Sequence, residues 1–170
     1  MEQRKLGLNT TQRMALLKNQ VTELLWYGKL DTTWARAKEV QRIAEKILTT
    51  AFRAWDDTVK KVEERKNAKG QTIKVEVVND GPKRLAARRS IMSKLNDIQE
   101  KRAVDEPYDA FLARTEAIKH PLIEKIFNEY APRIQKRESN KGAKGGYTRV
   151  LKTGFRRGDA AETAMIEVIL

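Results

Sequence analysis

The sequence contains no cysteine, which excludes disulfides and thiolate metal ligands and suits a cytosolic protein. It has one histidine, His120, standing before Pro121. A lone imidazole without thiols supplies neither a metal set nor a nucleophile–base pair. Long apolar runs are also missing. The longest stretch without a charged residue is seven, Leu6 to Gln12, too short for a membrane-spanning helix or a signal-peptide core. The adjacent carboxylates Asp56-Asp57 and Glu63-Glu64 point apart on a helix and do not converge as acid and base. Gly142, Gly145 and Gly146 fit neither phosphate-loop pattern. No enzyme activity, cofactor, metal or small-molecule substrate is therefore expected.

What the chain does have is positive charge. Lys and Arg number 35 against 23 Asp and Glu, a net of +12 over 170 residues. The charge is segregated. Residues 1–50 carry nine basic and five acidic groups, residues 83–102 seven and two, and residues 133–158 nine and one. Residues 54–82 balance at six each, and 103–130 are net acidic. Three basic segments in one chain point to a polyanionic partner, nucleic acid before an anionic membrane. A membrane-surface helix would need bulky apolar and aromatic residues gathered on one face, and aromatics are only 6% of the chain. No helix-turn-helix or ribbon spacing favours DNA. RNA is the expected partner, bound largely through phosphates that position the protein without reading sequence.

The chain reads as one domain of the α+β class. Met1 to Leu8 is expected as an extended arm. Asn9 is placed to cap a first helix running to about Tyr27, with Met14, Leu17, Val21, Leu24 and Leu25 as its apolar stripe and Gly28 as its stop. Lys29 to Thr32 is extended. Thr33 can cap a second helix whose core face is Ala37, Val40, Ala44, Ile47, Leu48 and Ala51, with a weak period carrying it on to about Glu64. Gly70 breaks the chain, and Gln71 to Val78 alternates as a strand or hairpin arm. Asn79-Asp80-Gly81-Pro82 is a turn. A third helix is expected from about Arg84 to Arg102 with Leu85, Met92, Leu95 and Ile98 inward. Shorter helices follow at Tyr108 to Lys119 and Leu122 to Ala131, the second ended by Pro132. Gln135 to Gly146 is expected to be a mobile loop.

The stretch Gly145 to Asp159 organises the rest. Tyr147 to Thr153 alternates as a strand, with Tyr147, Arg149 and Leu151 on one face and Thr148, Val150 and Lys152 on the other. It runs into Gly154-Phe155-Arg156-Arg157-Gly158, where glycines allow a tight reversal around two arginines. Glu162 to Leu170 alternates again, with Ala164, Ile166, Val168 and Leu170 together. The geometry is a basic C-terminal hairpin with an arginine tip suited to phosphate. Tyr147 and Phe155 flank it and could stack on bases, although core packing is the favoured role for each. Four or five phosphate contacts from residues 133–158 would give a log affinity–log salt slope of roughly −3 to −4.

A family pattern is carried by Arg4-Lys5-Leu6-Gly7, Arg13 with Ala15-Leu16-Leu17, Thr32-Thr33, Ala35 to Glu39 with Ala44-Glu45-Lys46, Arg88-Arg89, Phe127-Asn128-Glu129 with Ala131-Pro132-Arg133, and above all Gly145 to Asp159 with Ile166-Glu167-Val168. In these residues the chain resembles the bacterial large-subunit ribosomal protein L17 family. The resemblance covers residues 1–51 and 123–170. It departs at Glu2, Gln3 and Leu8, where the family is commonly basic, and at Glu162, where proline is usual. The resemblance implies a two-layer α+β fold, several helices packed on a small mixed sheet. It also implies a structural constituent of the large subunit that binds 23S-type rRNA near the peptide exit tunnel, beside other large-subunit proteins, in the cytoplasm. Residues 54–82 and 103–121 then read as insertions in the family core. The expected RNA-facing set is Arg4, Lys5, Arg13, Lys18, Arg36, Lys38, Arg42, Arg88, Arg89, Tyr147, Arg149, Lys152, Arg156 and Arg157.

Overall fold

The computed structural model describes residues 4–66, 72–116, 118–142 and 145–169. Expectations for residues 1–3, Gly70, Gln71, residues 143–144 and Leu170 lie outside the described residues. Helix α1, Thr10–Tyr27, is bounded as its sequence dictates. The Asn9 side chain accepts the Gln12 N–H at 2.9 Å, and the Gly28 N–H donates to Leu24 O at 2.8 Å. Two more carbonyls of its last turn, which lack helical partners, are satisfied from far along the chain. The Tyr130 hydroxyl donates to Leu25 O at 2.8 Å and Lys125 Nζ to Trp26 O at 2.7 Å. Leu17, Val21, Leu24 and Leu25 are buried. Met14, expected in that stripe, is 54% exposed, because the core begins a turn later.

Strand β1, Lys29–Thr33, feeds directly into helix α2, Trp34–Phe52. Thr33 occupies the N-cap position with extended backbone but makes no capping hydrogen bond. The stripe Ala37, Val40, Ala44, Ile47, Leu48 and Ala51 is buried as the period predicts. The helix does not continue to Glu64. It ends at Phe52, and after a turn strand β2, Thr58–Lys66, pairs antiparallel with β3, Thr72–Asp80. The β-branched Thr58, Val59 and Val62 favour the strand, and Asp57 is used elsewhere. Its carboxylate accepts the Lys83 N–H at 2.7 Å and the Arg84 N–H at 3.3 Å, capping helix α3, Pro82–Lys94, from 26 residues away. A Cβ on Gly81 would sit 2.5 Å from that carboxyl carbon, so a larger residue there would displace the capping carboxylate.

Helix α3 stops eight residues before Arg102. Leu95 turns extended, and the Asn96 N–H donates to Thr22 Oγ1 at 3.1 Å, an α1 acceptor that replaces a further helical turn. Its buried residues are Ala87 and Ile91, followed by Leu95, while Leu85 points outward. Helix α4, Tyr108–Thr115, buries nothing and ends short of Lys119. Pro132 does not end a helix. Helix α5, Pro121–Lys125, passes through a wide π turn, Ile126–Tyr130, into α6, Ala131–Lys141. The wide turn spares proline the clash with the carbonyl four residues back. Gln135 to Lys141 is therefore helical and not a loop, held by the buried Ile134 and by Arg137.

Strands β4, Thr148–Phe155, and β5, Glu162–Val168, form the expected hairpin, and β5 lies centrally in the order β1-β5-β4. Among the described residues every strand pair is antiparallel, β1 with β5, β4 with β5 and β2 with β3. The sheet is thus antiparallel where a mixed one was implied. The architecture is α+β. Helices α1 and α2 cover the face bearing Ala164 and Ile166, and Phe127, Ile126, Leu122, Ile134 and Ile91 complete the core.

Candidate nucleic-acid interface

The hairpin is built so that its cations stay out of the core. Thr148 is buried against α2, where Gln41 Nε2 donates to Thr148 O at 3.3 Å and Thr148 Oγ1 to Glu45 Oε1 at 2.9 Å. Arg149, on the opposite face, is exposed and donates through Nε to Glu167 Oε1 at 2.7 Å across the strand pair. A bulge between Lys152 and Gly154 breaks the register, with Gly154 at φ 120°. The reversal uses Gly154 and Ala160, at φ 50°, while Gly158 stays outside the left-handed region, contrary to expectation.

The tip is tied by main chain and charge. The Arg156 N–H donates to Ala161 O and the Ala160 N–H to Arg156 O, both at 2.9 Å. Asp159 accepts from Arg156 Nε at 2.9 Å and from the Ala161 N–H at 3.2 Å. The hydrogen bond from Arg156, then that from the Ala161 amide, hold the Asp159 carboxyl down to about 2, and Asp159 in turn raises Arg156. Lys152 Nζ lies 3.3 Å from Glu162 Oε1. Arg149, Lys152 and Arg156 therefore each face a carboxylate, whereas Arg157 makes no ion pair among the described residues. Exposed pairs of this kind add little to stability.

Two predicted cations meet at a residue that the sequence reading passed over. Lys38 Nζ lies 4.6 Å and Lys152 Nζ 4.7 Å from the Trp34 ring centroid. The start of α2 and the middle of β4 thus present a shared cationic aromatic site. Arg42 is exposed and lies 3.7 Å from the buried Glu39 carboxylate. Arg36 falls on the other flank of the α2 core stripe from Lys38. Arg4 and Lys5 are exposed just before α1, and Arg13 and Lys18 are half-buried on it.

Arg88 is employed inside the molecule. Its Nε is 2.5 Å from Asp80 Oδ2, its Nη1 is 2.5 Å from Glu124 Oε1, and its guanidinium lies over Phe127. Burial alone would lower its pKa, but the hydrogen bonds and charges of Asp80 and Glu124 outweigh that and raise it. Arg89, beside it in α3, is exposed. Tyr147 is 4% exposed. Its hydroxyl donates to Glu138 Oε1 at 3.0 Å, and burial first, then Glu138, push it up. Phe155, by contrast, is 71% exposed.

The exposed Arg133 and Lys136 of α6 add cations that the expected loop obscured. Arg137 has another task. It donates to Gly145 O, Gly146 O and Ile169 O at 2.9–3.0 Å, fastening the entry of β4 to the end of β5. The signal for α6 was present in the spacing of Ile134, Arg137 and Glu138 but was outweighed by Pro132.

The model of the family described as ribosomal protein L17 matches residues 16–169. Large ribosomal subunit protein bL17 of Lachnospira eligens is 37% identical over 98% of this chain and 98% of its own length. The proteins of the same name from Ruminiclostridium cellulolyticum, 37% identical over 98% of both chains, and Oenococcus oeni, 32% identical over 98% of this chain and 97% of its own, are similar to it as well. With a family match spanning both the helical layer and the basic hairpin, the chain belongs to the ribosomal protein L17 family.

Proposed function

We propose that this protein is a structural constituent of the large ribosomal subunit. It binds 23S-type rRNA through the start of α2 and the β4–β5 hairpin. The observation that carries the reading is the convergence of Lys38 of α2 and Lys152 of β4 on Trp34, with Lys152 on the same hairpin as Arg157, which makes no ion pair among the described residues. Cations held beside an aromatic ring and an arginine without a carboxylate suit phosphates and 2′-hydroxyls of structured RNA. Arg4, Lys5, Arg13, Lys18, Arg36, Arg42, Arg89, Arg149 and Arg156 extend the surface. Arg88 and Tyr147 act on it from within, by holding α3 and the entry of β4.

In this reading the protein sits near the peptide exit tunnel of a cytoplasmic ribosome, beside other large-subunit proteins. The charge-balanced β2–β3 ribbon and the α4 segment, which buries nothing, face solvent or those neighbours and not RNA. The role is structural, with no catalytic step. The test is binding to purified large-subunit rRNA across a salt series. Wild type gives a log–log slope of roughly −3 to −4 from the hairpin segment. R156A/R157A binds more weakly with a slope shallower by about 2 and an unchanged circular dichroism spectrum. A flat salt response of the wild type contradicts the proposal.

A further inference from the structure

Phe155 is the one large apolar side chain at the hairpin tip, between Gly154 and Arg156 and 71% exposed. It takes no part in the hydrophobic core, and no cation lies over its ring among the described residues. The Arg156 guanidinium, which could have covered it, is turned to Asp159. Space around it is open: a Cβ on Gly154 or on Gly158 would meet no heavy atom within 4 Å. The base beneath it is firm. Thr153 Oγ1 donates to Thr163 Oγ1 at 2.8 Å, Thr163 Oγ1 to Gly154 O at 3.0 Å, and the tip amides bond across the loop. A bare aromatic ring on a backbone tied across the loop, beside arginines of which Arg157 makes no ion pair among the described residues, requires little ordering of the main chain on binding a flat partner.

From this we infer that Phe155 stacks on an unpaired base, with Arg157 reaching the phosphate of the same stretch of chain. The inference rests on the rRNA reading above and names the class of nucleotide the tip takes, one displaced from a helix in a loop or bulge. Paired bases in A-form RNA offer no face to such a ring. Their major groove is deep and narrow, and their stacking surfaces are occupied. Stacking recognises any base by its π face and does not depend on salt, so Phe155 and Arg157 leave separate signatures.

The experiment uses the full chain with two probes, protein-free large-subunit rRNA and a fully paired RNA duplex. F155A and F155L should bind rRNA roughly 5- to 150-fold more weakly at unchanged salt slope, with F155W restoring affinity. R157A should reduce the slope by about 1. Duplex binding should be insensitive to every change at position 155. Wild-type affinity in F155A overturns the inference, as does a failure of F155W to rescue or an equal loss on duplex. Normal rRNA binding by F155A with poor incorporation into subunits also overturns it, because the ring would then dock on protein. Absence of rRNA binding by the wild type removes the rRNA reading itself, a result distinguishable from each of these.

Discussion

Asp159 holds the Arg156 guanidinium from three residues away, with Arg156 Nε 2.9 Å from Oδ1. The same oxygen accepts the Ala161 N–H at 3.2 Å, so one carboxylate orders both arms of the tip. Its pKa lies at about 2, below the ordinary 3.8, so the folded tip favours the charged form. The sign follows from linkage: the order that Asp159 confers is complete above 3.8 and is lost as pH falls through about 2. The Ala161 amide resonance should titrate in that window, and D159N should abolish the transition. A titration unchanged in D159N would contradict the assignment.

Gly81 and Asp57 are a coupled pair. G81A should drive the Asp57 carboxylate off the Lys83 amide and cost about 1 kcal/mol in urea denaturation, the scale of a lost N-cap. D57A should cost a similar amount. Because both remove the same cap, G81A made in a D57A background should cost little more, and full additivity of the two losses would disprove the coupling.

Arg88 and Arg157 should separate stability from binding. R88A removes the cation of Glu124 and one of the two guanidiniums over Phe127, while Arg84 stays with Asp80 and the ring, so it should destabilise by roughly 1–3 kcal/mol. Its rRNA salt slope should stay unchanged. R157A should leave stability intact and lower the slope. The pair of measurements, denaturation and salt titration, sorts the two arginines.

Tyr130 reports on the junction of α1 with the wide turn. Burial, then the nearby Glu129 charge, raise its hydroxyl from 10.0 to about 12. Folding therefore favours the protonated form. Its contribution is present below 10 and drains away as pH rises through about 12. A difference of that size corresponds to roughly 3 kcal/mol. Y130F, which leaves the Leu25 carbonyl unpaired, should cost about 1 kcal/mol at neutral pH and flatten the alkaline fall.

Elements whose limits are written locally can be read from the sequence. Asn9 and Gly28 bound α1, the Ala37–Ala51 stripe defines α2, and the alternation around Gly154 gives the hairpin. Elements decided by distant partners were not. Residues 55–64 carry enough apolar positions to continue a helix on paper, but Asp57 is drawn to the α3 N-terminus and β3 supplies a partner strand. Pro132 reads as a stop unless a wide turn precedes it. The basic set suffered from the same limit. Charge and spacing placed Lys38 and Lys152 without revealing that both converge on Trp34. Arg88 looked like its neighbour Arg89 until Asp80 and Glu124 were seen around it. Tyr147 and Phe155 were equivalent in sequence, and only packing separates the buried ring from the bare one.

The most direct test of the central claim is sedimentation of the tagged protein from a lysate on sucrose gradients, at low and at roughly molar salt. The account predicts co-migration with the large subunit at both salts. Recovery in the top fractions at both salts, free of RNA, would contradict it.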